Sequence, residues 1–306
     1  MRSFLTGHGR SGRHSAARTA IEPRKPLFRS LRYLWGAVWC AALLTPIGCL
    51  ADPKPLWELG IGPGAVLFSD YPGSSSYRAY VIPVPYIRYR GAFLRADRDG
   101  VRGILLDAQR LSLNISLGAS VPARSRDDSA RAGMPNLNAL LEIGPSLDLH
   151  LWRSDAHDMQ LDLRLPARLA LTVTSIPRDM GWIAAPNVNL DIRNVGGSPG
   201  WNLGMLAGPL YATRRYNRYF YAVSPAYATE QRPLYDAPGG YAGTEFTVAL
   251  SRRFTTLWVG GFLRYQILSG AAFLNSPLIR SDYDLSAGVG IAWIIGQSDR
   301  RVDARE

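Results

Sequence analysis

The sequence predicts an all-β protein, a transmembrane antiparallel up-and-down β-barrel of about 12 strands (10–14) behind a cleaved N-terminal signal peptide. Three observations lead to this fold class. Apolar and polar residues alternate over segments of roughly ten residues, the length of a tilted membrane strand. Turn-forming clusters of Gly, Pro, Asn, Asp and Ser separate the segments, and Tyr and Trp gather near their ends.

The first 51 residues predict a signal peptide with an extended basic n-region. Arginines and a lysine precede the apolar run 33–50, YLWGAVWCAALLTPIGCL. Cys49 and Ala51 then supply the small residues of a cleavage site, so we expect cleavage between Ala51 and Asp52. A transmembrane anchor and a lipoprotein attached through Cys49 are the alternatives.

Charge and cysteine content exclude several classes of protein. The formal net charge is +11, but residues 1–51 hold eight Lys/Arg and one acid, while 52–306 hold 27 Lys/Arg and 23 Asp/Glu. Most of the excess therefore belongs to the leader, and no arginine cluster is interleaved with aromatics as nucleic-acid binding would require. Both cysteines lie in the leader, so the exported part has neither a disulfide nor a thiolate metal site.

The strand signal is clearest in residues 140–171, LLEIGPSLDLHLWRSDAHDMQLDLRLPARLAL. Side chains alternate between the two faces of a strand, so the leucines share one face and the charged residues share the other. Residues 52–296 are expected to form one barrel domain, followed by a charged C-terminal tail at 297–306. An exported β-sandwich is the alternative. Further alternating runs lie at 57–62, 111–117, 187–193, 245–251 and 285–293.

The polar face of these strands is predicted to line the barrel lumen. A turn near Asp155 would set His150 opposite Asp162 and Asp148 opposite Arg164. The outward face should carry two girdles of aromatic residues where the wall meets the membrane surfaces. The candidate lumenal polar ladder is Glu142, Asp148, His150, Asp162, Arg164, Asp191 and Arg193. The candidate girdle residues are Trp57, Tyr77, Tyr86, Tyr89, Trp152, Trp182, Trp201, Tyr211, Tyr216, Tyr219, Tyr221, Trp258, Tyr265 and Trp293.

No catalytic, cofactor-binding or metal site is predicted. His150 has acidic neighbours and Ser146 on its face, which are the components of a hydrolase triad, but the sequence lacks a nucleophile elbow. A hydrogen-bonded lumenal histidine is the favoured interpretation. Pro83 and Pro85 fall inside a predicted strand, where they indicate a bend at the barrel rim or a site for strand addition by a periplasmic partner.

Several motifs, in order over residues 56–296, resemble the MipA/OmpV family (MltA-interacting protein family) of outer-membrane proteins. The segment 218–224 is similar to a strand of that family containing the letters YFGV. Single motifs are weak, whereas their order and spacing are specific. The motifs are Glu58–Gly64, Tyr71–Ser74, Pro83–Gly91, Arg218–Ser224 and Asn275–Ile279.

The resemblance implies a barrel in the outer membrane of a Gram-negative cell, with outer-membrane lipid around it. The best-described member of the family is a scaffold that holds a lytic transglycosylase and a bifunctional murein synthase together. We therefore expect a non-enzymatic, monomeric scaffold or adaptor for peptidoglycan remodelling in the cell wall, without nucleic acid. The alternatives are a porin-like channel for small solutes and a surface adhesin, whose contact loops would be 122–136 and 225–240.

Overall fold

The computed structural model describes residues 54–90, 94–97, 100–107, 110–156 and 158–302. The predicted signal peptide, with its cleavage site at Ala51 and Asp52, lies outside these residues, as does the end of the predicted tail. Within the described ranges, no helix is both long enough and apolar enough to span a membrane.

Strands dominate the described chain, and the one α-helix, α1, spans Arg214–Tyr221. In chain order the strands are β1 (Lys54–Pro55), β2 (Trp57–Ser69), β3 (Tyr77–Arg90), β4 (Leu94–Asp97), β5 (Gly100–Asp107), β6 (Leu111–Ser120), β7 (Leu140–Arg153), β8 (Met159–Thr172), β9 (Asp179–Ala184), β10 (Asn187–Arg193), β11 (Trp201–Ala212), β12 (Gly240–Arg253), β13 (Leu257–Ile267), β14 (Tyr283–Gln297) and β15 (Arg301–Val302). Short 3-10 turns lie at 125–127, 195–197 and 225–227.

Strands β2 to β14 form one antiparallel sheet that closes on itself. The sheet has 13 segments, and β8 and β11 both pair with β9 and with β10, which closes the ring. Both β9 and β10 lie between β8 and β11, one after the other along the chain. They are therefore two halves of one wall strand, which is interrupted at residues 185–186. Counting them once leaves twelve wall strands in the described chain, which confirms the predicted up-and-down barrel.

The wall is apolar outside, and on β7 and the neighbouring strands it is polar inside. On β7, Ile143 is 40% exposed whereas its neighbour Glu142 is 6% exposed, because alternate side chains point to lipid and to lumen. This pattern is the reverse of a water-soluble protein and is typical of a barrel surrounded by hydrocarbon. Exposed apolar side chains around the wall include Leu59, Ile61, Val81, Ile87, Leu117, Leu141, Leu165, Val188, Val248, Leu250, Leu263, Val289 and Ile291.

The aromatic girdles are present, but several predicted members are not in them. Tyr86 is buried against Glu58, and the ring of Trp258 lies 5.9 Å from that of Tyr86, so both face the lumen. The predicted members on α1 were also wrong, because that segment leaves the wall. Outward and exposed aromatics near one end of the strands are Tyr77, Trp182, Tyr211, Tyr265 and Tyr283, and near the other end Trp152 and Trp293.

The two ends of the barrel differ in the length of their connections. We call one the loop end; its long connections are residues 121–139, 213–239 and 268–282, and it also holds the shorter connections 70–76 and 173–178. The opposite turn end has the connections 154–158, 194–200 and 254–256, together with β1 and β15. In bacterial barrels the short turns are periplasmic and the long loops are extracellular.

The long loops pack together into a loop cap with its own small hydrophobic core. The rings of Tyr221 and Phe273 stack at 3.7 Å with an interplanar angle of 9°. Arg131 is almost fully buried and donates to the backbone oxygen of Phe220 at 2.8 Å, which ties two loops together. Burial lowers the pKa of the Arg131 guanidinium. Phe220, Tyr221, Leu268, Phe273 and Leu278 are the large buried apolar residues of the cap.

Helix α1 corrects one expectation, since the segment 218–224 was compared with a strand. Phe220 follows Tyr216 by four residues, and Tyr221 follows Asn217 by four. That spacing places each pair on one face of a helix, and α1 buries Asn217, Phe220 and Tyr221 in the cap.

The start of the predicted tail pairs with the first described residues of the chain. Lys54 lies opposite Val302 and Pro55 opposite Arg301 in a two-stranded sheet. The amide of Leu56 donates to the backbone oxygen of Arg300 at 2.8 Å. Residues 297–302 therefore continue the structure at the turn end.

Candidate functional site in the barrel lumen

One side of the lumen is lined by buried polar residues on β6, β7, β8 and β10. We call this the polar face; its buried members are Ser112, Asn114, Glu142, Ser146, Asp148, Asp162, Asn187, Asn189 and Asp191. Each alternates with outward apolar residues, so the strand period alone brings them to one surface. Buried polar groups must find hydrogen-bond partners, and most of these find them across neighbouring strands.

Asp162 is the centre of the polar face. Its carboxylate lies 2.8 Å from Nδ1 of His150 and accepts from Nε2 of Gln160 at 2.9 Å. Nη2 of Arg164 lies 3.7 Å from a carboxylate oxygen of Asp162 and 3.7 Å from one of Asp191, so the arginine bridges two strands. The register sets His150 opposite Asp162 and Asp148 opposite Arg164, as the turn near Asp155 predicted.

Asp148 has partners of its own on the polar face. It accepts from Nδ2 of Asn114 at 2.7 Å and from Oγ of Ser146 at 2.6 Å. The hydroxyl proton of Ser146 is therefore directed to a carboxylate rather than to His150. A hydrolase triad needs the histidine to accept that proton, so this geometry gives Ser146 no activation as a nucleophile.

Glu142 connects the polar face to the loop cap. Its carboxylate lies 3.1 Å from Nε of Arg168 and accepts from the hydroxyl of Tyr216 on α1 at 2.7 Å. Burial, reinforced by the nearby Glu142 charge, raises the pKa of Tyr216, which keeps the phenol protonated as the donor. Arg168 was missed from the predicted ladder, although it follows Arg164 by four residues and so shares its face.

A second ionic cluster, also missed, lies at the turn end of the lumen. The buried carboxylate of Glu58 lies 2.8 Å from Nη2 of Arg253 and 3.3 Å from Nη2 of Arg90, and it accepts from the hydroxyl of Tyr86 at 3.3 Å. The alternation of β2 places Glu58 on the inward face. Its partner Arg253 is 195 residues away, so no local pattern predicts the pair. Arg193, the last ladder residue, lies at the same end, where its amide donates to the backbone oxygen of Asp158 at 2.6 Å.

The opposite side of the lumen is lined by glycine and apolar side chains. Glycine occupies several inward positions of β2 and β14, and Gly62 sits where an added Cβ would lie 2.1 Å from the backbone oxygen of Ile291. We call this the apolar face; its side-chain members are Val66, Phe68, Tyr80, Ile82, Val84 and Phe262. The lumen is therefore amphipathic.

The charged groups of the polar face form ion pairs and hydrogen bonds with one another. Carboxylates and arginines are matched to one another, and removing one partner of such a buried pair leaves a costly uncompensated charge. In the described part of the chain, no group of three or more His, Cys, Asp or Glu could hold a metal ion. The network cross-links the wall strands.

Comparison with known proteins places these features in a family. A family model described as MltA-interacting protein MipA matches residues 61–295. No curated protein matches the sequence. Three solved structures resemble the fold weakly. A bacterial polysaccharide outer membrane secretin has a TM-score of 0.37 at 10% identity, covering 80% of this chain and 100% of its own.

The other two are a transporter and an outer-membrane protein. The Ralstonia pickettii toluene transporter TbuX has a TM-score of 0.26 at 12% identity, covering 81% of this chain and 71% of its own. The outer membrane protein OprG from Pseudomonas aeruginosa has a TM-score of 0.21 at 10% identity, covering 80% of this chain and 96% of its own.

Proposed function

Because the chain belongs to the MipA family of outer-membrane proteins, whose model spans most of the barrel, we propose that it is a non-enzymatic scaffold for peptidoglycan remodelling. Its partners would be a periplasmic lytic transglycosylase and a murein synthase. The description of the family, an MltA-interacting protein, is the observation that carries this proposal.

The ionic clusters and the loop cap support a scaffold over an open channel. Ionic clusters occupy the polar face, and the loop cap packs a hydrophobic core over one end. A barrel of about 12 strands with ionic pairs along one side and a cap over one end opposes free diffusion of solutes. A scaffold needs only a rigid wall and an exposed surface.

The turn end offers such a surface, and it is basic. We call the exposed or half-buried arginines Arg110, Arg153, Arg252 and Arg300 the basic rim. Arg252 lies over the ring of Phe254 at 4.6 Å and over that of Trp201 at 5.6 Å, which holds the guanidinium in place before any partner binds. Arginine and aromatic residues held in this way are typical of binding hot spots. An acidic surface on a periplasmic enzyme would complement this rim.

Cross-linking in intact cells tests the proposal. We expect a tagged copy to enrich a murein hydrolase or synthase over an unrelated barrel. The triple variant Arg110→Glu, Arg252→Glu, Arg300→Glu should reduce that enrichment by about fivefold or more, since charge reversal opposes an acidic partner. The matched control is Arg124→Glu, Arg126→Glu, which changes exposed arginines at the loop end. If none of the forms captures a murein enzyme although the barrel is correctly inserted, the scaffold proposal is refuted.

A further inference from the structure

A cavity of about 670 Å³ lies at the loop end, on the outer surface of the barrel. One side of it is formed by Tyr77 on β3 and Tyr283 on β14. Their chain neighbours Arg78 and Asp284 point into the lumen, so alternation directs both tyrosines outward. The cap connections 70–76 and 268–282 form the rest of the cavity. We call it the girdle cavity, and its volume is typical of small-molecule sites.

The two connections that enclose the girdle cavity are fixed to each other. The backbone oxygen of Gly73 accepts from the amide of Arg280 at 2.8 Å and from that of Ser281 at 3.1 Å. Gly73 has a φ of +89°, and an added Cβ would lie 2.7 Å from Cδ1 of Ile279. The connections therefore pack as closely as a glycine allows. A cavity held open in this way loses little conformational freedom when a ligand binds.

The floor and the side of the girdle cavity are apolar and aromatic. Leu274 and Ile279 form the floor, where both are half-buried against the hydrophobic core of the loop cap. Tyr77 is 39% exposed and Tyr283 is 47% exposed, so their rings remain accessible. These surfaces suit a hydrocarbon chain, and the tyrosine rings also suit the flat face of a sugar.

The rim of the girdle cavity carries one unpaired cation. Arg280 is exposed and lines the cavity, and within the described chain it makes no ion pair. Its guanidinium is therefore available for a ligand, and arginine binds phosphate through two parallel hydrogen bonds.

Neighbouring groups on the rim can bind hydroxyls. Oγ of Ser281 accepts from the amide of Tyr283 at 3.2 Å, so its own proton can be donated to a ligand. The exposed carboxylate of Asp282 is an acceptor on the same rim, and Ser75 adds a second exposed hydroxyl. The rim thus combines a site for a phosphate with donors and acceptors for a sugar.

We propose that the girdle cavity binds the phosphorylated glycolipid that forms the outer leaflet of a Gram-negative outer membrane. Long loops of bacterial barrels are extracellular, so the cavity lies at the level of that leaflet. Arg280 would hold a phosphate, while Ser281 and Asp282 would bind sugar hydroxyls. Leu274 and Ile279 would contact the start of an acyl chain. A phospholipid lacks the sugar and free phosphate lacks the chain. This activity goes beyond the scaffold and requires no protein partner.

Binding of lipid A to the full barrel in detergent, measured by native mass spectrometry, tests the proposal. Arg280→Gln should weaken binding of diphosphorylated lipid A by about fivefold or more, because the amide keeps the polarity but loses the charge and the paired donors. The matched control is Arg124→Gln, an exposed arginine of the loop cap outside the cavity, which should bind as the parent does. Equal affinity of Arg280→Gln and the parent would overturn the proposal.

The choice of lipid separates the glycolipid from other sources of phosphate. Dephosphorylated lipid A should bind more weakly and should no longer distinguish Arg280→Gln from the parent. Phosphatidylglycerol and inorganic phosphate should compete poorly. If phosphatidylglycerol binds the parent as tightly as lipid A does, the site recognises any anionic lipid, and the assignment to a glycolipid is wrong.

Filling the girdle cavity gives an independent test of its location. Ser75 is exposed on the rim, so Ser75→Trp places a large side chain in the cavity without entering the core of the cap. We expect lipid A binding to fall by about tenfold or more. Ser129→Trp, at an exposed position elsewhere in the cap, is the control. Undiminished binding to Ser75→Trp, with correct folding shown by heat-modifiable gel migration, would place the lipid elsewhere and contradict the proposal.

Discussion

The phenol of Tyr216, on the helix of the loop cap, donates a 2.7 Å hydrogen bond to Glu142 on the barrel wall. This bond fixes the cap to the lumen. Tyr216→Phe should loosen the cap by roughly 1 kcal/mol, the net value of a hydrogen bond to a group that keeps its other partner. Faster amide hydrogen exchange in residues 213–239, with the wall strands unchanged, is the expected measurement. The control is Tyr219→Phe, whose hydroxyl donates to the exposed backbone at Asn138; a matching increase in that variant would contradict a special role for Tyr216.

Asp162 should be the most sensitive position of the polar face. Asp162→Asn removes the charge that lies beside His150 and Arg164 and leaves a buried cation undercompensated, so we expect a loss of about 3 kcal/mol in the free energy of unfolding. Urea unfolding from lipid bilayers, followed by tryptophan fluorescence, measures it. The control Asp299→Asn changes an exposed aspartate near the turn end and should stay within about 0.5 kcal/mol. Equal losses would show that Asp162 contributes no more than a surface charge.

Gly62 should tolerate no side chain. An added Cβ would lie 2.1 Å from the oxygen of Ile291, so Gly62→Ala must move a backbone strand and should cost about 2 kcal/mol or more, the upper range of overpacking. Gly204→Ala is the matched control, because its Cβ would meet only Asp191 Oδ1 at 3.5 Å, an ordinary contact. The measurement is the urea midpoint of the two variants in the same bilayer. Similar midpoints would mean that β2 and β14 separate easily.

Asp236 should titrate below an ordinary aspartate. A hydrogen bond from Arg214, and the charges of Arg214 and Arg218, lower the pKa of this exposed carboxyl in the loop cap. The stabilisation is therefore present above the unfolded pKa and is lost as the pH falls through the lower folded pKa. NMR titration should show this pKa below 3.8, and Arg214→Gln should raise it. An unchanged pKa in Arg214→Gln would exclude that arginine as the main cause.

The loop cap should keep the barrel closed to ions. We expect no stepwise conductance in a planar bilayer, because the cap covers the loop end and ionic clusters line the lumen. Arg131→Ala removes the donor that joins two cap loops and should produce brief openings. Stable conductance steps of the parent protein would favour the porin-like alternative over the scaffold.

The sequence predicted the wall better than the lumen contents. Alternation gave the register of His150 with Asp162, because one turn length decides which residues face each other. Alternation also explains the error at Tyr86, which shares its phase with the inward residues of β3 but has the residue type of a girdle. The partnership of Glu58 with Arg253 depends on closure of the ring, which no local pattern encodes.

The loop cap was beyond local prediction for a different reason. Its residues are polar and aromatic loop segments, and α1 gains its stability from Phe273 and Leu278 on another loop. A helix of eight residues is marginal without such packing. Pro83 and Pro85 were interpreted as a bend at the barrel rim or a site for strand addition, whereas the structure places both in the middle of β3, with Pro83 opposite Pro63.

The pairing of β1 with β15 brings the first and last strands of the described chain together. Lys54 and Val302 are neighbours, so a short linker could join them while the chain is cut elsewhere. A cut in the exposed loop around residue 230 would leave every wall strand continuous. In such a permuted chain the hairpins would enter the membrane in a different order, while the final barrel stays the same. Comparing its assembly rate with that of the parent would show whether the order of the hairpins matters for assembly.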